Sequence, residues 1–194
     1  MTKKITVLID GGHLRSHLKM SNKPVTADYV EKVGLAAALA TEEIVRILYY
    51  DCALYVGTTK LPISRTLATH SRTTPLLHDL AQKDLFAIRK GVLKFRGYVV
   101  RKNHQPSIPP VDADFAPTFE QKGVDMRIGL DMATIASNRS VELIALMTND
   151  TDFIPAMKLV RRAGIQVALL CLPNFKTTQE LIAHADFKRS IPWQ

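Results

Sequence analysis

The sequence predicts an α/β protein with three layers (α/β/α), in which helices cover both faces of a mainly parallel central β-sheet. Strand-like and helix-like patterns alternate along most of the 194 residues, as they do in α/β folds. The strand-like segments are also nearly continuous apolar runs, which is typical of parallel strands buried on both faces. Hydrophobic residues make up 46% of the chain, enough for a sizeable core, and we expect one domain over residues 1–194.

The first quarter of the chain supplies two strands and one helix. "KITVLID" (4–10) is a β-branched run, and the glycines behind it, Gly11 and Gly12, allow a tight exit. "ADYVEKVGLAAALA" (27–40) has apolar residues at helical spacing. "EIVRILYYD" (43–51) is typical of a second buried strand.

The middle of the chain is less regular. "RTLATH" (65–70) and "PLLHDLAQKDLFAIRKG" (75–91) suggest helices, and "KFRGYVVRKN" (94–103) is typical of a strand rich in basic residues. Four prolines lie between positions 103 and 117. They predict a loop there, because proline removes a backbone donor and restricts the residue before it.

The last third returns to a regular alternation of a helix, a strand, a helix, a strand and a final helical segment. We place these elements at residues 121–137, 141–148, 151–163, 165–171 and 177–191. Right-handed crossovers make each connecting helix begin near the carboxyl ends of the strands. That edge is where open α/β sheets bind ligands.

Acidic residues gather at this predicted edge. Asp10 ends the first strand, and Asp51 ends the second. Asp150 and Asp152 follow the apolar run "ELIALM", and Asp125 lies in the first turn of the helix behind the proline-rich loop. An acid in a first turn is close to the positive end of the helix dipole and to the strand ends. We expect these residues to converge, except that Asp51 could instead face solvent at its strand end.

Asp131, a second acid on the same predicted helix as Asp125, is not expected to bind the same ion. Asp131 lies about 120° around the helix from Asp125 and roughly 9 Å further along its axis, so the two do not reach one ion. As a polar residue on an apolar stripe, Asp131 needs either a hydrogen-bond partner or an opening to a cleft. The sequence leaves both roles open.

The convergent acids Asp10, Asp125, Asp150 and Asp152 predict a metal site. Each like-charge pair near 4 Å costs about 4 kcal/mol at an effective dielectric constant of ~20, and a divalent cation removes that repulsion. Oxygen ligands without Cys or paired His favour Mg²⁺ or Mn²⁺, which also bind substrate phosphates. The chemistry implied is phosphodiester hydrolysis, in which the metal activates a water. Simpler roles compete, because Asp150 also suits a helix N-cap and Asp152 also suits a first turn.

The charge balance favours a polyanionic partner. Lys and Arg outnumber Asp and Glu by 26 to 18, giving a net charge of +8. Lys122 and Arg15 are candidates to contact phosphates, and His13 is a candidate to line the pocket. Cys52 and Cys171 have no metal-binding spacing and indicate a reducing compartment. With no apolar stretch long enough to span a membrane, we expect a cytoplasmic protein without a membrane partner.

Several stretches together resemble the NYN domain family, the PIN-like ribonucleases that include the LabA-like proteins. The resemblance rests on "ITVLIDGGHLR", "RILYYDC", "KGVDMRIGLDMATIA", "IALMTNDTDFIPAMKLVRRAGIQVALLCLP" and "LIAHADFKRSI", in this order. The most specific part is "KGVD" followed later by "TNDTDF". The resemblance implies a PIN-like sheet, a Mg²⁺ or Mn²⁺ site of clustered aspartates, and RNA as the substrate.

By motif, the resemblance assigns metal-binding and catalytic roles to the same four acids. Asp10 matches the acid of the first strand, Asp125 the acid of "KGVD", and Asp150 and Asp152 the paired acids after the fourth strand. Asp131 matches a second position that is often acidic. The sequence departs from the family where Gly12-His13-Leu14 stands in place of an Asn after the first Asp-Gly.

The sequence therefore predicts a metal-dependent ribonuclease, with Lys122, Arg15 and His13 as candidate RNA-binding residues. The alternative is an RNA-binding or regulatory module that keeps the PIN-like fold and cleaves little or no RNA. A nuclease acting on DNA and a phosphatase are further alternatives. The sequence leaves homo-oligomerisation open.

Overall fold

The computed structural model describes residues 2–71 and 73–191. Its strands are β1 (Lys3–Asp10), β2 (Glu42–Cys52), β3 (Gly57–Lys60), β4 (Leu67–His70), β5 (Phe86–Val100), β6 (Phe115–Lys122), β7 (Leu143–Met147), β8 (Gln166–Cys171) and β9 (Phe187–Ser190). Its helices are α1 (Gly11–Met20), α2 (Ala27–Leu35), α3 (Pro75–Ala81), α4 (Val124–Asn138), α5 (Ile154–Arg162) and α6 (Gln179–Ala183). Within the described ranges, none of the helices is long and apolar enough to cross a membrane.

Seven of these strands form one sheet in the order β6-β5-β2-β1-β7-β8-β9. β6 runs antiparallel to β5, and all other neighbours in this sheet are parallel. β3 and β4 form a separate antiparallel pair. At the centre of the sheet, β7 is apolar and buried throughout, and the interior of β1, from Ile5 to Ile9, is buried as well. This is what parallel strands covered on both faces require.

Helices cover both faces of the sheet. On one face, α1, α2 and α3 pack through residues such as Leu14 and Val33. On the other face, α4, α5 and α6 pack through residues such as Ile128 and Met157. Burying an aliphatic side chain of this size contributes about 1.5–3 kcal/mol. The predicted three-layer α/β/α fold with a mainly parallel sheet is confirmed.

The register places the carboxyl ends of the central strands at one level. Asp10 at the end of β1 pairs with Tyr50 of β2, and Ile9 pairs with Met147 of β7. Asp10, Asp51 and the residues that follow Met147 therefore emerge at the same edge of the sheet.

The middle of the chain differs from the predicted elements. Residues 65–70 contain strand β4 rather than a helix, and residues 75–91 are helical only in α3 before they enter β5. β5 is longer than the predicted strand 94–103, because its first part pairs with β2 and its remainder pairs with β6. β6 occupies the end of the predicted loop 103–117 and the start of the predicted helix 121–137, so α4 begins later. A proline fits in β6 because β6 is an edge strand.

Three helical predictions also change. α1 follows β1 directly at Gly11, where we expected only a tight turn. The helix predicted at 27–40 ends earlier, at Leu35. The segment 177–191 contains the short α6 and then β9 instead of one helix, because β9 pairs with the otherwise open edge of β8. The strands and helices predicted between 141 and 171 are confirmed within a few residues.

A β-ribbon extends past the carboxyl edge of the sheet. Beyond Gly91, β5 pairs only with β6, so the ribbon made by Val92–Val100 and β6 projects by about 30 Å at the usual rise per residue. Tyr55, just before β3, and His70, the last residue of β4, pack against Phe119 of the ribbon, with ring centroids 5.3 and 5.8 Å away. This ribbon forms one side of the region where the acids gather.

Candidate active site

Asp10 is held in a fixed orientation at the end of β1. It is the N-cap of α1, and its Oδ1 accepts hydrogen bonds from the backbone N–H groups of Gly12 (2.9 Å) and His13 (3.2 Å). Its Oδ2 accepts a hydrogen bond from the Thr148 hydroxyl at 3.2 Å. Burial raises the pKa of Asp10, while these hydrogen bonds and the charge of Arg15 oppose that rise. Strand β1, helix α1 and the end of β7 therefore fix this carboxyl group together.

Asp150 is joined to Asp10 through Thr148. The backbone N–H of Asp150 donates to the Thr148 hydroxyl oxygen at 3.2 Å, and that same hydroxyl donates to Asp10. Asp150 also caps the short 3₁₀ turn Thr151–Phe153, since its Oδ1 accepts from the backbone N–H of Asp152 at 2.9 Å. The simpler role predicted for Asp150, helix capping, is thus present, and it occupies only one of the two carboxylate oxygens.

Asp125 is placed by a sharp turn between β6 and α4. Gly123 adopts φ 77°, a left-handed conformation that favours glycine, and this lets the chain pass from the edge strand into the helix within one residue. Asp125 lies in the first turn of α4 and is exposed. The turn therefore explains why "KGVD" contains a glycine, and it places Asp125, two residues later, in the first turn of α4.

The other three acids act on Asp125 electrostatically. Although the residue is exposed, neighbouring atoms partly desolvate the Asp125 carboxyl group, and this raises its pKa first; the negative charges of Asp10, Asp150 and Asp152 raise it further. Within residues 2–71 and 73–191, no three Asp, Glu, His or Cys side chains lie close enough together to form a metal-binding group. The charges of Asp10, Asp150 and Asp152 therefore act on Asp125, although the described side chains do not form a closed coordination shell. The donor set, which consists of carboxylate oxygens, suits a hard divalent cation.

A cleft of about 470 Å³ opens over Asp10 and Asp150. His13 lines it, with its ring edge-on to Phe175 at a centroid distance of 5.0 Å. Burial, together with the charge of His17, lowers the pKa of His13 to about 4. His13 is therefore neutral at physiological pH, and any contact it makes with RNA is a hydrogen bond or a ring contact rather than an ion pair.

The far wall of the cleft depends on Asn149, a residue that the sequence did not single out. Its Oδ1 accepts hydrogen bonds from the backbone N–H (2.8 Å) and the hydroxyl (3.0 Å) of Thr178, and its Nδ2 donates to the carbonyl of Lys176 (3.3 Å). These bonds tie the segment that carries Phe175 to the end of β7. Thr148 and Asn149 belong to the "TND" stretch and could have been suspected, whereas Phe175 has no signal in the sequence.

Asp51 lies at the same edge but is fully engaged by neighbours. It is buried, and its carboxylate forms an ion pair with Arg15. It also accepts hydrogen bonds from the backbone N–H of Cys52 (2.6 Å), the Tyr49 hydroxyl (3.3 Å) and Gln121 Nε2 (3.4 Å). The prediction that Asp51 could face solvent is wrong, and its role here is to hold Arg15.

Asp131 is also held by hydrogen bonds within the fold. Its Oδ2 accepts hydrogen bonds from the Tyr50 hydroxyl at 2.8 Å and from Arg89 Nε at 2.9 Å. These contacts fasten α4 to β2 and β5, and burial and the Asp131 charge together raise the pKa of Tyr50. Of the two roles left open for Asp131, hydrogen bonding within the fold is the one observed.

The two predicted phosphate-binding residues, Arg15 and Lys122, lie in different places and have different partners. Arg15 lies beside the cleft, and its positive charge acts on Asp10. Lys122 lies at the base of the ribbon and forms an ion pair with Glu120 of the same strand. Among the described basic residues, none forms an ion pair with Asp10, Asp125, Asp150 or Asp152.

Comparison with known proteins connects this geometry to a family. The sequence matches the NYN domain over residues 4–192. It is 29% identical over 108 residues to an uncharacterized protein of Methanocaldococcus jannaschii, a match that spans 52% of this chain and only 45% of that protein. The fold is similar to the crystal structure of a protein of unknown function from Vibrio parahaemolyticus, with a TM-score of 0.60, 18% identity and coverage of 98% and 94% of the two chains.

The family match extends over nearly the whole chain and includes all the motifs on which the resemblance rested. The structural likeness, at its low identity, bears on the fold alone, and it agrees with the three-layer arrangement. This chain therefore belongs to the NYN domain family, which suggests a PIN-like nuclease fold.

Proposed function

We propose that the protein is a metal-dependent ribonuclease in which Asp10, Asp125, Asp150 and Asp152 hold Mg²⁺ or Mn²⁺. One observation carries this proposal: at the carboxyl edge of a parallel sheet, carboxylates from two distant parts of the chain, Asp10 and the pair Asp150 and Asp152, act on Asp125. Placing an acid where three other carboxylates repel its charge is costly unless the group serves a ligand. Membership of the NYN family, with its PIN-like nuclease fold, supports the same conclusion.

A divalent cation bound there would polarise the attacking water and neutralise charge that develops on the phosphate. The residues of the chain supply orientation. Asp10 is fixed by three hydrogen bonds, so its carboxyl group is aimed before any substrate arrives. Asp150 uses one oxygen in capping and keeps the other for the cleft. Such pre-organisation lowers the cost of assembling the reacting groups.

The RNA partner follows from the family and from charge. A net charge of +8 favours an anionic polymer, and Arg15 and Lys122 lie near the cleft and the base of the ribbon. Both cations are ion-paired, Lys122 with Glu120 and Arg15 with Asp51. We assign the stronger phosphate contact to Arg15, because it lines the cavity that adjoins the cleft. His13 contributes as a neutral side chain at the bottom of the cleft.

The test is cleavage of labelled single-stranded and structured RNA with added Mn²⁺ or Mg²⁺. We expect cleavage by the wild type and its loss in Asp10→Asn and Asp150→Asn. Asp84→Asn is the matched control, because Asp84 is an exposed acid just before β5, at the opposite edge of the sheet. Equal cleavage by all four proteins would identify a contaminating nuclease and refute the proposal. DNA and a small phosphodiester in the same assay separate a ribonuclease from a DNA nuclease or a phosphatase.

The alternative function is an RNA-binding or regulatory module with little cleavage. The observation in its favour is the spacing of the acids, since the described residues contain no group of three that forms a metal-binding set. RNA binding that persists at every metal concentration without any cleavage would support this module over the nuclease.

A further inference from the structure

A second cavity lies beside the cleft along the outer side of α1. It measures about 770 Å³ and is bounded by α1, by the loop at residues 22–25 and by Gln121 of β6. Three basic side chains, Arg15, Lys19 and Lys23, line it, and the lining residues within 2–71 and 73–191 include no acidic or aromatic side chain. We call this cavity the α1 groove.

The α1 groove is continuous with the cleft. Gly12 and Ser16 line both cavities. A side chain at Gly12 would begin 3.1 Å from Asp10 Oδ1, 3.7 Å from Gln121 Oε1 and 3.9 Å from Arg15 Nη2. Because Gly12 has no side chain, nothing from this position stands between the candidate catalytic carboxylate and the first cation of the groove.

The cations of the groove are positioned for an extended anion. Arg15 and Lys19 are four residues apart on α1 and so lie on one face of the helix, with Cβ atoms about 6 Å apart. Buried Asp51 anchors the Arg15 guanidinium, and Gln121 donates to the same carboxylate. Among the described acids, none forms an ion pair with Lys19. The groove thus has a fixed cation next to the cleft and a further positive charge one turn away.

We propose that the α1 groove binds the phosphate backbone of the RNA strand directly next to the phosphodiester that reaches Asp10. This inference rests on the proposed function for the identity of the polymer. In the part of the chain that the structure describes, the groove is lined by cations and by no aromatic side chain. We therefore expect it to contact phosphates without stacking on bases, so that binding there is independent of base sequence.

The test measures the salt dependence of binding to fluorescent single-stranded oligoribonucleotides in EDTA. The variant Lys19→Gln/Lys23→Gln removes two groove cations. Its control, Lys158→Gln/Arg162→Gln, removes two exposed cations from the middle and the end of α5, which covers the other face of the sheet from α1. Each lost phosphate contact lowers the slope of log K against log salt by about 0.7, so the groove variant should have a slope shallower by about 1.4, with the control unchanged.

The affinity for oligouridine and for oligoadenosine should fall by similar factors in the groove variant, because the lost contacts are to the backbone. Equal slopes in the two double variants would overturn the inference, and so would a loss confined to one of the two homopolymers. Thermal unfolding of both variants shows whether the fold is intact.

The two proposals fail in different ways. If the wild type cleaves RNA and the groove variant keeps the wild-type salt slope, the α1 groove is not a phosphate site and the nuclease assignment stands. If the groove variant loses the predicted slope but no protein cleaves RNA, the groove assignment stands and the nuclease assignment is wrong.

Discussion

Replacing Asp51 by Asn tests whether this acid supports the fold rather than the metal site. The Asp51 carboxylate is buried and receives one ion pair and three hydrogen bonds, and Asn keeps only one of its two acceptor oxygens and loses the charge. Removing one partner of a buried ion pair costs about 3–5 kcal/mol. Because the Arg15 side chain is 35% exposed and water can replace part of its partner, we expect Asp51→Asn to cost about 2–3 kcal/mol.

Chemical and thermal unfolding of Asp51→Asn measure this loss. For a chain of this size each kcal/mol lowers Tm by about 2–4 °C, so a decrease of roughly 5–10 °C is expected. A double-mutant cycle with Arg15→Met should give a coupling energy of about 1–3 kcal/mol, since the two residues are in direct contact. The control Asp84→Asn replaces an exposed acid just before β5 and should stay within about 0.5 kcal/mol of the wild type.

Metal-induced stabilisation separates Asp51 from the candidate ligands. A cation that binds only the folded protein raises Tm, and this rise should persist in Asp51→Asn and disappear in Asp10→Asn. The reasoning fails if Asp51→Asn has wild-type stability, or if it loses the stabilisation by Mn²⁺ while Asp10→Asn retains it.

Two further predictions concern neighbouring hydrogen-bond networks. Thr148→Val removes the hydroxyl that links Asp10 and Asp150. Unfolding assays should show a loss of stability of about 1 kcal/mol, and RNA-cleavage assays should show a rate lower by about 10- to 100-fold. Thr148→Ser keeps the hydroxyl and should retain both stability and cleavage. Asp114, buried and bonded to His104 at 2.6 Å, has a pKa lowered to about 2 from 3.8. Its contribution to stability is therefore complete above about pH 4 and is lost as the pH falls towards 2. Urea unfolding across this range should show a weaker pH dependence in Asp114→Asn, and an identical dependence would contradict the assignment.

The sequence predicted the central strands well because their pattern is dictated locally. Runs such as Leu143–Met147 are apolar at every position, and only a strand buried on both faces accommodates that pattern in so few residues. The start of α1 was missed because two successive glycines disfavour a helix. Their reason lies in tertiary structure: a side chain at Gly11 would begin 2.7 Å from both the Tyr49 hydroxyl and the Tyr50 carbonyl oxygen.

The ribbon and the last strand were missed for a similar reason. Prolines at 106, 109, 110 and 117 predicted a loop, and part of that segment is an edge strand whose pairing partner lies some twenty residues earlier. The segment 177–191 has helical spacing throughout, yet its end completes the sheet as β9. In both places an available sheet edge decides the structure, and the edge is visible only after the rest of the fold is known.

The acids of the site illustrate the same limit. Asp10 and Asp51 both stand at the end of an apolar strand, so their positions in the sequence do not show which of them belongs to the site. What distinguishes them is Arg15, which is close to Asp10 in the sequence and pairs with Asp51 in the fold. The cleft residue Phe175 had no predictive pattern, because its position depends on the Asn149 contacts that hold its segment.

Ion pairing therefore sorts the aspartates near this edge into two groups. Arg15 neutralises Asp51 and Arg89 neutralises Asp131, whereas no described basic residue pairs with the four candidate ligands. In a protein of net charge +8, those four acids form a local negative site that by itself repels the phosphate to be cleaved. The α1 groove, which shares Gly12 and Ser16 with the cleft, attracts the same polymer. RNA binding through the groove should consequently persist in EDTA, while approach of the scissile phosphate to Asp10 requires a divalent cation to offset the carboxylates.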